Sequence, residues 1–119
     1  MRTFAIGLML LLATTAVAVA HHGLTAFDRT TKVTLKGTVT DFHFVTPHVV
    51  VEFEVKDDSG RIQAWQAEMT TPKNLKGWTA TSLEPGDVVT VTGYRAKSGA
   101  LSLFVTELSS SNGMKLRGA

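Results

Sequence analysis

Apolar and polar residues alternate in short runs through most of this chain, and that periodicity restricts the fold more than any other feature. Successive side chains of a strand point to opposite faces, so a period of two describes a half-buried β-strand and is incompatible with an amphipathic helix. From Lys32 to Val39 the apolar positions Val33, Leu35 and Val39 share one face, with Gly37 between them. Beyond Thr40 the phase changes, and Phe42 and Phe44 take over the apolar positions. A one-residue slip of phase inside a strand is what a β-bulge produces. The pattern therefore predicts one long, bent strand from about Lys32 to Val45.

The rest of the chain punctuates in the same way. Pro47 has no amide hydrogen to donate to a ladder and limits pairing locally. After it, Val49, Val51, Phe53 and Val55 alternate with Val50, Glu52, Glu54 and Lys56. Asp57-Asp58-Ser59-Gly60 is a tight-turn sequence, and a third strand runs from about Arg61 to Met69 with Trp65, Ala67 and Met69 on one face. Thr71-Pro72 reads as a helix cap followed by proline at the first helical position, with Gly77 as the stop. Val88 to Tyr94 and Leu101 to Leu108 form two further strands around a Lys97-Ser98-Gly99 turn. Three strands, a short helical element and two strands is the order of an OB-type barrel, and a long bent first strand can serve both halves of such a sheet. The expected architecture is all-β: a small five-stranded OB-like antiparallel barrel over residues 32–108, with one short helical element between the third and fourth strands. Residues 21–31 are expected to form an N-terminal arm. Residues 109–119, rich in Ser, Asn and Gly, are expected to form a flexible tail.

Residues 1–20 have a different character. Arg2 gives a positive start, Phe4 to Leu12 an apolar run, and Ala18-Val19-Ala20 a small-x-small cleavage site, which together read as a secretory signal peptide. A membrane anchor would need about 20 predominantly apolar residues, whereas Thr14 and Thr15 interrupt this segment. No stable membrane insertion is expected after cleavage, and the address is the periplasm or the exterior. Loss of Arg2 leaves 11 basic against 10 acidic residues, scattered singly. That is the pattern of a solvated surface and gives nucleic-acid binding no electrostatic support. With no cysteine in the chain, disulfides, thiolate zinc sites and cysteine nucleophiles are excluded.

The chemistry-bearing residues are few. Cleavage after Ala20 would expose His21 as the first residue, its α-amine beside its own imidazole, with His22 next. Such a pair can chelate copper, for which imidazole is a good ligand. His43 and His48 flank the Pro47 bend, which is expected to bring them near one another, so the candidate metal ligands are His21, His22, His43 and His48. No ligand triplet has the spacing of a structural or catalytic zinc centre. Glu68, beside Trp65 and Met69, reads as a partly buried carboxylate without an acid/base partner. Asp57 and Asp58 belong to a hairpin turn before they belong to a calcium site. Ser82, Ser98 and Ser102 have no histidine at a suggestive spacing, and no glycine-rich phosphate loop is present. The chain thus reads as a non-enzymatic module whose partner is a small ligand or another periplasmic protein, with copper as the one implied cofactor.

The ordered set His21-His22-Gly23, Ala26-Phe27-Asp28, Leu35-Lys36-Gly37-Thr38-Val39, Thr46-Pro47-His48, Trp65-Gln66-Ala67-Glu68, Leu75-Lys76-Gly77-Trp78 and Gly86-Asp87-Val88-Val89-Thr90-Val91-Thr92-Gly93 resembles a bacterial family of exported proteins, domain-of-unknown-function family 6152. The resemblance covers almost all of the chain after residue 20. It implies a periplasmic, OB-like small β domain and supplies no reaction. It departs at Thr46, where the family usually has Asn, and at Phe44, where it usually has Trp. The ligand-contacting residues expected from residues and resemblance together are His48, Trp65, Glu68 and Trp78.

Mass spectrometry of the exported protein is expected to show a chain beginning at His21. On that chain, calorimetry is expected to show copper binding more tightly than to a variant carrying one extra N-terminal residue. Equal affinities would eliminate the N-terminal copper site.

Overall fold

The computed structural model describes residues 24–117. The segment read as a signal peptide, together with His21 and His22, lies outside the described residues. Two 3-10 turns, Leu24–Ala26 and Pro72–Asn74, are the helical elements among the described residues. Everything else regular is strand: β1 (Phe27–His43), β2 (Val50–Lys56), β3 (Ile62–Glu68), β4 (Val88–Ala96), β5 (Ser102–Ser110) and β6 (Lys115–Arg117).

The strands form one sheet in the order β3-β2-β1-β4-β5-β6. A further pairing joins β3 to β5 and closes β1 to β5 into a ring. That closing pair is parallel, with Gln66, Ala67 and Glu68 beside Ser102, Leu103 and Phe104, whereas every other pairing is antiparallel. The expected all-antiparallel arrangement is corrected at this seam. β3 and β5 meet across the closure rather than through a hairpin, so no local turn dictates their relative direction.

The phase slip read at Thr40 is present as a break in register. Val39 pairs with Phe53 and Asp41 with Glu52, so Thr40 is the extra residue on β1. β1 is long and bent as expected, but it begins at Phe27, within the stretch read as an arm. Its first half pairs with β4 from Phe27 to Thr38 and its last part with β2 from Thr38 to His43.

The C-terminal tail is a second correction. β5 runs on to Ser110 and turns into β6, where Leu108 pairs with Leu116 and Ser109 with Lys115. Ser110 N donates to Met114 O at 2.9 Å, and Asn112 Nδ2 donates to Ser82 O at 2.8 Å and to Asp87 Oδ2 at 3.0 Å. The Ser-Asn-Gly composition is a hairpin turn here, because Met114 and Leu116 beyond it pack against the core.

That core fills the ring. Val39, Val49, Val51, Phe53, Ala67, Met69, Leu83, Val89, Val91, Leu103 and Val105 are essentially inaccessible to solvent. Each side chain of that size contributes about 1.5–3 kcal/mol when fully buried, which lets a domain without disulfides hold together. Two glycines allow the strands to approach as closely as the ring demands. A Cβ at Gly37 would lie 2.9 Å from Phe53 Cδ2 and against the Glu54 carbonyl, and one at Gly93 would lie 2.8 Å from the Phe104 carbonyl carbon. Gly93 stands where β5 has its own extra residue, Thr106. A methyl group there must push the two backbones apart, and such overpacking costs about 1–3 kcal/mol. Gly93→Ala is therefore expected to lower the unfolding free energy by about that amount, read from urea denaturation; an unchanged midpoint would contradict the tight approach.

Candidate functional site

Register decides which side chains share the outer face of β1, β2 and β3. Val49, just before β2, and Val51, Phe53 and Val55 on it point inward, so Val50, Glu52 and Glu54 point outward. On β3, Trp65 and Ala67 are buried, which places Gln66 and Glu68 outside. On β1 the extra residue at Thr40 turns Asp41 and His43 to the same outer face, while Phe42 packs against the core. Two cross-strand rows result. Asp41, Glu52 and Gln66 lie side by side in one, and His43, Val50 and Glu68 in the other.

The His43 imidazole sits between two carboxylates. Its Nε2 is 3.1 Å from Glu52 Oε2 and 3.4 Å from Asp41 Oδ2. Asp41 is oriented by its own strand, because its Oδ1 accepts the Phe42 amide hydrogen at 2.8 Å. The ligand atoms of Asp41, His43 and Glu52 all lie within 4.8 Å of one another. An open pocket of about 370 Å³ adjoins Glu52 and is lined also by Thr40, Trp65 and Gln66.

His48 belongs to a different contact. Backbone bonds from Val49 N to Thr70 O (3.1 Å) and from Met69 N to Val49 O (2.7 Å) extend the β2–β3 ladder and hold His48 beside Glu68. Nδ1 of His48 lies against Glu68 Oε1. The nitrogen is shielded from water and makes no aligned hydrogen bond, so the contact is a close approach rather than a directional bond. The Thr46–Pro47 peptide between the two histidines is cis. Although they flank one bend, His43 and His48 engage separate carboxylates, and the three-residue ligand set holds only the first.

The aromatic residues read as ligand contacts are mostly interior. Trp65 is 5% exposed and Trp78 8%, with Phe42 packed 6.2 Å from the Trp78 ring. The Trp65 indole nitrogen is buried without a hydrogen-bond partner, and the Arg95 guanidinium lies 5.2 Å from the Trp65 ring. Asp41, Glu52 and Gln66 escaped the sequence reading because only strand register brings them together. The phase slip at Thr40 was the signal that could have found Asp41. The carboxyls of Asp57 and Asp28 are held below the usual aspartate range, each chiefly by a side-chain hydrogen bond, from Ser59 and Thr30 respectively. Both serve turns; Asp57 Oδ1 accepts from Ser59 N at 2.9 Å, Ser59 Oγ at 2.6 Å and Arg61 N at 2.9 Å, so it works as the hairpin acceptor.

The family profile described as "Family of unknown function (DUF6152)" matches residues 9–103. The chain belongs to this family. No curated protein matches it. Among solved structures, the chain is similar to the mitochondrial single-stranded DNA-binding protein Rim1 of S. cerevisiae, with a TM-score of 0.53 and 16% identity over 68% of this chain and 93% of that one. At that identity the likeness establishes an OB-like fold and nothing further. Among the described residues no helix is long and apolar enough to cross a membrane.

Replacing Glu68, whose side chain is only 16% exposed, with Gln removes the charge facing His48 while keeping the shape. Glu68→Gln is expected to cost about 1 kcal/mol in urea denaturation, and an unchanged midpoint would show that the pair contributes nothing to the fold.

Proposed function

We propose that this family member is a non-enzymatic binding module of the periplasm, an OB-type barrel released from its signal peptide, whose outer β1–β3 face holds a small cationic ligand. The observation that carries this reading is the grouping of Asp41, Glu52 and Glu68 with His43 and His48 at one end of this face beside an open pocket, away from Lys36 and Lys56, which flank Glu54 at the other end. A surface of one sign attracts the opposite sign and sets specificity through charge. Gln66 and the imidazoles of His43 and His48 add hydrogen-bonding capacity. The two imidazoles each face a carboxylate of this surface, His43 that of Glu52 and His48 that of Glu68.

The same face argues against the role of the DNA-binding neighbour. Single strands are held by a positive groove and by exposed aromatic rings on which bases stack. Here the end of the face that holds His43 and His48 carries Asp41, Glu52 and Glu68, and Trp65 and Trp78 are buried. A second reading, copper capture by the His21 amine and imidazole with His22, is motivated by the Ala18-Val19-Ala20 cleavage pattern.

Titration of the isotopically labelled protein with spermidine is expected to shift the amide resonances of Glu52, Gln66 and Glu68, and a single-stranded oligonucleotide is expected to leave them in place. Shifts with the oligonucleotide and none with spermidine would reverse the assignment.

A further inference from the structure

We propose that Asp41, His43 and Glu52 form a three-ligand site for a divalent first-row metal ion, an inference that rests on the reading of the β1–β3 face as a ligand surface and names one ligand for it. The first argument is electrostatic. Asp41 and Glu52 are direct cross-strand partners, and like charges directly opposite destabilise a sheet. A cation between them removes that repulsion, and the two carboxylates together match the charge of a divalent ion.

The second argument is geometric. Two metal–ligand bonds of about 2.1 Å separate their ligand atoms by about 3.0 Å at a right angle and about 3.4 Å at the tetrahedral angle. The two edges that meet at His43 Nε2 measure 3.1 and 3.4 Å, and the third closes within 4.8 Å. A small inward movement of exposed carboxylates is enough to seat an ion. Asp41 presents Oδ2 because its Oδ1 is already held by the Phe42 amide, and such outer partners orient ligands in metal sites.

The third argument is the donor set. One imidazole and two carboxylates suit zinc or copper(II). Calcium prefers six to eight oxygen ligands and is poorly served here. Three protein ligands also leave a coordination position open, as catalytic and ligand-binding metals do. Glu52 is shared with the open pocket, so that position is within reach of a donor group occupying it. The site exists because of the extra residue at Thr40; bulges characteristically re-aim side chains next to functional sites.

Zinc is the better probe, since an exposed His21-His22 pair would compete for copper. Calorimetry of the exported chain with zinc chloride at neutral pH is expected to show one equivalent bound. His43→Ala and Glu52→Gln should each weaken it at least about tenfold, with thermal melts confirming that both variants remain folded. Nuclear magnetic resonance should show zinc moving the His43 ring signals. In the double variant His21→Ala/His22→Ala the equivalent should persist. Absence of zinc binding, or its loss in the double variant with retention in His43→Ala, would overturn the site. If zinc fails while spermidine still moves the Gln66 and Glu68 amides, the metal inference alone falls and the ligand surface stands.

Discussion

Thr40 is the residue on which the inside and the outside of this domain are coordinated. A strand has a period of two, so a slip of one residue exchanges every side chain between faces. Without the extra residue, a strand continuing from Val39 would carry Asp41 and His43 into the ring and leave Phe42 outside. Burying an unpaired carboxylate costs far more than a lost methyl contact, so that register is forbidden. With the slip, Val39 meets Phe53 and Phe42 meets Val51 on the inner side, while Asp41 meets Glu52 on the outer side. The apolar demand of the core therefore places an aspartate and a histidine beside a glutamate in the open.

Closure of the ring adds a second constraint. β3 reaches β5 only if the sheet coils tightly, and Gly37 and Gly93 mark the places where backbones come close enough to exclude a Cβ. Closing pairs the Gln66–Glu68 end of β3, whose amides would otherwise be open to other chains. It also brings Gln66 and Glu68 next to Ser102 and Phe104, so the outer face continues from β1 through β3 onto β5. The seam supports the same surface that carries the histidines and carboxylates.

Local periodicity made much of this legible. The alternation from Val33 to Val39, the reversal at Phe42, the Asp57–Gly60 turn and the Pro72 helical element all appear in the structure close to where the residues put them. What escaped were relations between distant segments. The parallel seam joins Gln66 to Ser102, and no local pattern encodes which strands meet across a closure. The last strand was obscured because Ser109 to Gly113 reads as a polar tail, and only the spacing of Met114 and Leu116 beyond it reveals a returning hairpin. Within the site, His43, His48 and Glu68 could be singled out as residue types, but Asp41 and Glu52 acquire meaning only through register. The carboxylate that each histidine meets is likewise set by the strand it flanks, His43 by its place on β1 beside Glu52 and His48 by the β2–β3 ladder beside Glu68.

The OB-like frame and the chemistry of its face are separable, and the neighbouring fold makes that plain. Both chains share a path of the backbone at 16% identity, yet function lives in side chains grafted on a fold. A nucleic-acid surface needs positive charge to release counterions from phosphates. This face opposes Asp41 to Glu52 across the β1–β2 ladder, with Glu54 and Glu68 on β2 and β3 and Lys36 and Lys56 beside Glu54 at its far end. The His43 imidazole sits where these two carboxylates converge, 3.1 Å from Glu52 and 3.4 Å from Asp41. Since Glu52 Oε2 and Asp41 Oδ2 both approach His43 Nε2, the one-residue slip that satisfies the core also sets the spacing of all three groups outside it.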